Sequence, residues 1–338
     1  MSNKYTVLEL FAGAGGLALG LEKAGFNTLG LIEVDKWAVE TLKNNRPEWN
    51  IIHDDIINIV NQGIKNFVNT NVDVVSGGFP CQSFSYAGKR LGLEDTRGTM
   101  FYYYAEIVKE LQPKIFLVEN VKGLVNHDFG KTFKTILNVF EDLNYKLYWK
   151  VLNAWDYNVA QKRERLVLIG IRKDFSNKEF LFPNPIAPKL VLKDVLKKVP
   201  NSVGAEYPKR KKEILSLVPP GGCWRDLPDD LAQEYMGKSY FLGGGRTGMA
   251  RRISWNEPSL TLTCSPAQKQ TERCHPDETR PFTTREYARI QSFPDNWIFA
   301  GSINNIYKQI GNAVPVELAK NIGISIINYI NNVNKEKK

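Results

Sequence analysis

Val72-Asp73-Val74-Val75-Ser76-Gly77-Gly78-Phe79-Pro80-Cys81-Gln82-Ser83-Phe84-Ser85 joins a β-branched run to a glycine turn, a proline and a cysteine. Residues 72–75 read as a short buried strand. The glycines end it, and Pro80 fixes its own φ in the turn that follows. Cys81 is thereby presented on a loop at the end of a buried strand, where α/β proteins place their chemistry. Taken alone, Cys81 reads equally as a thiolate nucleophile or as a small buried hydrophobe.

Toward the N-terminus, Tyr5 to Leu10 reads as a first strand and Leu17 to Ala24 as a helix. Between them lies Phe11-Ala12-Gly13-Ala14-Gly15-Gly16. Strand, glycine turn and helix form the opening unit of a doubly wound fold. Glycines there let backbone N–H groups approach a ligand at the positive end of the helix. Leu29 to Ile32 forms a second strand ending in Glu33, about 20 residues past the first glycine, a spacing that suits ribose hydroxyls. The full G-x-G-x-x-G is missing, so an adenosine with a short charged tail fits as well as a dinucleotide. A glycine turn without a ligand is the third reading. Asp55, after Ile51-Ile52, is an acceptor for an adenine amino group or a solvated turn acid.

Toward the C-terminus, Gly88 to Gly98 is glycine-rich and charged and reads as a mobile segment. Met100 to Leu111 is a helix by its apolar spacing, and Ile115 to Val118 a buried strand leading to Glu119-Asn120-Val121. A Glu at such a strand end is seldom core unless paired. Phe133 to Leu143 predicts a helix, and Lys146 to Leu152 and Leu166 to Ile171 predict strands. This alternation predicts a mostly parallel sheet. The texture changes near Asp174. Five prolines between 183 and 208, Pro219-Pro220-Gly221-Gly222 and Gly243-Gly244-Gly245 predict a second domain of loops and short strands. Lys209-Arg210-Lys211-Lys212 reads as a solvated or phosphate-contacting run. Thr283 to Ser292 is a helix with Thr284 as its cap. An apolar helix, Val316 to Ile330, follows Gly311-Asn312-Ala313.

The formal net charge of +9, with 45 Lys and Arg against 36 Asp and Glu, suits a polyanionic partner such as nucleic acid. Cys81, Cys223, Cys264 and Cys274 are too few and too scattered for a disulfide framework, and their spacing argues against a metal site. No stretch approaches the roughly 20 apolar residues of a membrane span. Met1 runs directly toward a strand, so no signal peptide and a cytoplasmic location are expected.

In this order, Phe11-Ala-Gly-Ala-Gly-Gly16, Gly78-Phe-Pro-Cys-Gln82, Glu119-Asn-Val121, Gln161-Lys-Arg-Glu-Arg165, Arg285-Glu286 with Arg289, and Gly311-Asn-Ala313 carry a resemblance. The chain resembles the bacterial DNA cytosine carbon-5 methyltransferases, in particular the single-chain enzymes of restriction–modification systems. The resemblance covers nearly the whole chain. Only the segment from about 180 to 280 lacks the family's strong motifs, and in that family it is the variable target-recognition region. The implied fold class is α/β, a doubly wound, mostly parallel sheet with a second, smaller DNA-recognition domain. The implied division is 1–180 for catalysis and cofactor binding, 181–304 for recognition, and 305–338 for a C-terminal helix returning to the catalytic domain.

The resemblance also implies roles. Cys81 matches the nucleophile that adds to carbon 6 of cytosine. Glu119 matches the glutamate that hydrogen-bonds or protonates the ring nitrogen, a role favoured by desolvation in a closed pocket. Arg165 matches the arginine that holds the cytosine carbonyl oxygen. Arg163 joins this set and, with Ser85, approaches the DNA backbone; Gln82 and Arg97 are further DNA contacts. The cofactor is S-adenosylmethionine, with Phe11, Gly13, Gly15, Gly16, Glu33, Val34, Asp55, Ile56, Pro80 and Asn312 around it. Val34 stands where many relatives carry a tryptophan stacked on adenine. The target base must leave the stack, and the segment from Gly88 to Gly98 is the natural lid.

Arg246, Arg251, Arg252, Gln268, Gln270 and Arg273 cluster around the variable region's glycine-rich and Thr261-Leu262-Thr263 stretches. Arg and Gln can each make two hydrogen bonds to a base edge, so some of this group are expected to read sequence. The expected partner is double-stranded DNA, with a separate cognate endonuclease acting on the same site, no membrane, no metal, and a monomeric enzyme.

Overall fold

The computed structural model describes residues 5–68, 70–80, 96, 99–242 and 248–336. The first half alternates strands and helices. β1 (Tyr5–Leu10), α1 (Gly16–Ala24), β2 (Phe26–Glu33), α2 (Lys36–Asn45), β3 (Ile51–His53) and α3 (Ile56–Gln62) come first. β4 (Val74–Gly77), α4 (Met100–Leu111), β5 (Ile115–Val121), α5 (Lys131–Asp142) and β6 (Tyr145–Asn153) follow. After the two-residue β7 (Gln161–Lys162) comes the long strand β8 (Glu164–Arg172).

Seven of these strands form one sheet in the order β3-β2-β1-β4-β5-β8-β6. The five from β3 to β5 are parallel, and β8 runs antiparallel to both neighbours. The chain winds outward from β1 in one direction through β2 and β3, and in the other through β4 and β5. The carboxyl ends of β1 and β4 thus flank a topological switch point, where open α/β sheets bind ligands. The expected mostly parallel, doubly wound sheet is what forms.

Period-two alternation sends Leu8 and Leu10 into the core that also holds Ile59, Phe101, Tyr104, Phe116 and Phe140. Glu9 points to the opposite face. On that side α1 packs against the C-terminal helix. A Cβ on Gly20 would lie 2.4 Å from the Cβ of Ala319, and one on Gly323 2.7 Å from that of Ala24. Glycine at both positions therefore allows the two helices to approach this closely. That contact explains why an apolar run resumes so late in the chain.

The remaining elements are α6 (Leu192–Val195), α7 (Lys209–Ser216), α8 (Asp229–Met236), β9 (Ser259–Leu260), α9 (Thr284–Ile290), α10 (Ile303–Asn312) and α11 (Val316–Glu336). The chain divides into two compact units. The first comprises residues 1–153, 164–185 and 314–338; the second comprises 154–163 and 186–313. Residues 154–163, expected in the catalytic domain, therefore join the second unit, and so does α10, expected to begin the return to the first. β7 pairs with β9, which holds residues 161–162 in the second unit. Besides the expected loops and this short strand pair, that unit carries the helices α6, α7 and α8, which were not expected. α9 begins one residue earlier than its expected cap implied: Thr283 is the cap, its hydroxyl accepting from Glu286 N while Glu286 accepts from Thr283 N.

Candidate active site

The glycine turn after β1 is shaped by backbone conformations that glycine tolerates. Gly13 has φ +54° and Gly15 φ +82°, and Phe11 adopts φ +56°. Gly15 is the N-cap of α1, so the helix opens directly onto the turn. The side of Gly13 where a Cβ would stand has no atom within 4 Å. Glu33, at the end of β2, reaches back to the turn. Its Oε2 accepts from Gly13 N at 2.7 Å, and its Oε1 accepts from Val34 N at 3.0 Å and Asp35 N at 2.8 Å. Three backbone N–H groups thus aim one carboxylate. Val34 is 61% exposed, and Ile56 is buried. Asp55 caps α3, its Oδ1 accepting from Ile57 N at 2.9 Å. Beneath the turn, Glu9 is buried on β1. Burial pushes its carboxyl well above the usual carboxylate range, partly offset by the Ala18 N–H. The helix N-terminus, the oriented carboxylate and the open side of Gly13 fit a nucleoside carrying a short charged tail.

Beside this turn, the carboxyl ends of β4 and β5 place a second group of residues. Gly77 pairs with Val118, so Glu119 is the next residue up β5. A Cβ on Gly78 would lie 3.1 Å from both the carbonyl oxygen and Oε2 of Glu119. Arg165 faces Glu119 from the start of β8, where Val121 opposes Arg165. Its Nε lies 2.9 Å from Glu119 Oε1, with both side chains close to 90% shielded from solvent. Arg165 Nη1 also donates to Glu164 O at 2.8 Å. Asn120, whose side chain carried no role in the sequence reading, donates through Nδ2 to Phe79 O at 2.9 Å, and its Oδ1 accepts from Val121 N. The ring of Phe79 packs edge-on against Phe101 and Tyr104. The segment entering Pro80 is therefore fastened to the strand that carries Glu119. Pro80 itself is exposed. Cys81, Gln82, Ser85, Arg97 and Arg246, and the expected lid apart from Thr96, lie outside the described residues.

In the second unit, several expected functional arginines hold backbone together. Arg163 is 1% exposed. Its Nη1 donates to Leu262 O at 3.0 Å and its Nη2 to Gly311 O at 2.8 Å and Ala313 O at 3.2 Å. It is thus a buried tie between three sequence motifs, which corrects its expected place among catalytic and DNA-backbone groups. Gln161 and Gln291 complete the tie, Gln161 Nε2 donating to Gln291 Oε1 at 2.9 Å and Gln291 Nε2 to Ile310 O at 2.7 Å. Gly311 packs so closely that a Cβ would lie 2.6 Å from Thr263 O. Asn312 is exposed and accepts from Cys264 Sγ at 2.9 Å.

The expected base readers separate in the same way. Arg252 is buried and donates to the carbonyls of Val218, Leu215 and His275 and to Thr279 Oγ1. Arg273 is buried, donates to Thr261 O at 3.2 Å, and is drawn down to about 10 by burial. Arg251 forms a two-point pair with Glu257 at 2.8 and 2.6 Å. These three guanidinium groups serve the scaffold, so they are not the members of the group free to meet base edges. Gln268 and Gln270 are exposed. Arg285, from the Arg285-Glu286 motif, likewise donates to the carbonyls of Pro294 and Trp297. No local signal distinguishes such an arginine from a surface one, because its acceptors are distant in the chain.

Among the described residues, no cluster of His, Cys, Asp and Glu could hold a metal ion, and no helix is long and apolar enough to cross a membrane.

A family model described as C-5 cytosine-specific DNA methylase matches residues 5–328. The chain is 59% identical over 333 residues to the Type II methyltransferase M.Sau96I of Staphylococcus aureus, covering 98% of this chain and 77% of that protein. It is 57% identical over 343 residues to the Type II methyltransferase M.Eco47II of Escherichia coli, covering 99% and 81%. Among solved structures, an Escherichia coli protein assigned as a prophage-encoded DNA modification methyltransferase has a TM-score of 0.71 at 25% identity, covering 97% of this chain and 100% of the other. A DNMT2 variant from Spodoptera frugiperda shares the fold, with a TM-score of 0.67 at 18% identity and coverage of 97% and 99%. A match of this extent places the chain in the C-5 cytosine-specific DNA methylase family, and it is an enzyme that transfers a methyl group from S-adenosylmethionine to carbon 5 of cytosine in DNA.

Proposed function

We propose that Cys81, Glu119 and Arg165 carry the reaction on a cytosine rotated out of the duplex. Carbon 5 of cytosine is a weak nucleophile. The Cys81 thiolate adds to carbon 6, and the displaced electron pair makes carbon 5 an enamine carbon able to attack an electrophile. Glu119 holds a proton at the ring nitrogen where the added density collects. Arg165 orients Glu119 and donates to the cytosine carbonyl oxygen. Bound at the glycine turn, S-adenosylmethionine supplies the electrophilic methyl group. Glu33 accepts from the ribose hydroxyls, Asp55 takes the adenine amino group, and the turn's N–H groups face the methionine end. Loss of the carbon-5 proton to a base returns an electron pair to the ring and expels the Cys81 thiolate. The observation that carries this reading is the shielded 2.9 Å pair of Arg165 and Glu119, on the strand to which Asn120 fastens the approach to Cys81.

The first unit is then the catalytic and cofactor-binding unit, and the second reads DNA. The relatives M.Sau96I and M.Eco47II carry the name Type II methyltransferase. On that ground the enzyme protects short specific duplex sites in a restriction–modification system. It acts as a cytoplasmic monomer, with a separate endonuclease cutting the unmethylated site.

The test is a duplex carrying 5-fluorocytosine at the target, because fluorine cannot leave as the proton does. Wild-type enzyme with S-adenosylmethionine should form a denaturation-resistant adduct, and Cys81→Ser should form none while still binding DNA. Turnover by purified Cys81→Ser at the wild-type rate would remove Cys81 from the mechanism.

A further inference from the structure

The basic run Lys209-Arg210-Lys211-Lys212 is not one surface. It lies on α7, where Lys211 shares a face with Ile214 and Leu215, three and four residues on. That face is the buried one. Lys209, Arg210 and Lys212 are exposed, and Arg210 pairs with Glu234 at 2.8 Å. Lys211 turns inward instead. Its ammonium pairs with Glu272, whose side chain is 0% exposed, donates to Ala267 O at 2.6 Å, and lies 5.0 Å from the ring centre of Tyr207. An ammonium has three donors, and these partners surround it.

Glu272 is the other half of the anchor. It accepts from Tyr235 OH and from Ala250 N, the latter at 2.8 Å. Burial pushes its carboxyl upward, and Lys211, Tyr235 and Ala250 each pull it back. Between Ala267 and Glu272 the chain makes a 3₁₀ turn at Lys269–Thr271, with Thr271 N donating to Gln268 O at 3.0 Å. The base of this loop is closed by the hydroxyls of Thr263 and Thr271, 3.2 Å apart, and by Arg273 donating to Thr261 O. The loop's exposed side chains include Gln268, Lys269 and Gln270.

We infer that Lys211 is a specificity-determining positioning residue: by holding Ala267 and Glu272 it fixes the turn that presents Gln268 and Gln270, and it governs which sequence is methylated. This rests on the reading of the second unit as the DNA-reading unit. A buried ion pair adds little net stability relative to apolar packing, but it holds its partners to one geometry. Two-point hydrogen bonding by Gln to a base edge needs its backbone held in place. Lys211 therefore acts unlike Lys209 and Lys212, whose side chains are exposed.

The target sequence is first read by bisulfite sequencing of DNA methylated in an unmethylated host. Methylation and binding are then measured on duplexes carrying that site and each of its single-base alterations, across a salt series. Lys211→Met should lower the cognate-to-altered ratio of kcat/KM about tenfold or more, on the scale of losing one base contact. The slope of log affinity against log salt should stay unchanged. Glu272→Gln should do the same, and it stands in if Lys211→Met fails to fold. Lys209→Ala with Lys212→Ala should flatten the slope and leave the ratio. An unchanged ratio in Lys211→Met with a slope reduced by about 0.9 would make Lys211 a phosphate contact and overturn the inference. An unchanged ratio in Lys211→Met and Glu272→Gln, with a collapse in Gln268→Ala or Gln270→Ala, would overturn it while sparing the recognition reading. An unchanged ratio in all four would remove both.

Discussion

Arg165 Nε and Glu119 Oε1 stand 2.9 Å apart across the β5–β8 pairing, shielded from most solvent. The antiparallel register that opposes Val121 to Arg165 and Glu119 to Val167 brings them together over 45 residues of intervening chain. On the proposed roles, Glu119→Gln removes a proton carrier and should slow single-turnover methylation by about 10²–10⁴-fold. Arg165→Lys keeps the charge but loses the planar fork, and should cost about 1.5–3 kcal/mol, or roughly 10- to 150-fold in rate. Rapid-quench measurement with tritiated cofactor checks both. A Glu119→Gln enzyme at full rate would end the assignment.

Glu33 is aimed by three backbone N–H groups, so its carboxylate is in place before any ligand arrives. Glu33→Ala should weaken S-adenosylmethionine binding by about 1–3 kcal/mol in calorimetry, and DNA affinity measured without cofactor should hardly change. Glu33→Gln keeps one acceptor and should fall between the two. Equal loss of cofactor and DNA affinity would instead mark a folding defect from the released Gly13 turn.

Arg163 distinguishes a structural guanidinium from a phosphate contact. Arg163→Ala removes the buried donor shared by the carbonyls of Leu262, Gly311 and Ala313. Ala313 O keeps the bond from Gln291 Nε2, but leaving the Leu262 and Gly311 carbonyls unsatisfied costs about 1–3 kcal/mol each, so urea unfolding should shift by at least that much. The salt dependence of non-specific DNA binding should stay as in wild type. A slope lower by about 0.9 with unchanged stability would restore Arg163 to the DNA backbone.

The first unit was largely legible because its signals are local. The run Val72 to Pro80, the glycine turn and the helix Met100–Leu111 each announce themselves within a few residues, through side-chain period and backbone freedom. The strand-end positions of Glu33 and Glu119 follow from those runs. The second unit was much less legible. Lys211, Arg252 and Arg273 look like surface cations in sequence, and the prolines and glycines around them suggested loops where α7 and α8 form.

Sequence alone determined that this chain would build a doubly wound sheet, because alternating apolar periods and strand-end glycines admit few other packings. It also determined which side-chain chemistries stand at the strand ends. Tertiary structure alone decided which charged groups are spent inside the protein. Arg163 meets a carbonyl 148 positions away, and Lys211 one 56 away. A buried cation is tolerated only where such acceptors converge, and that convergence is set by chain crossings that no local pattern encodes.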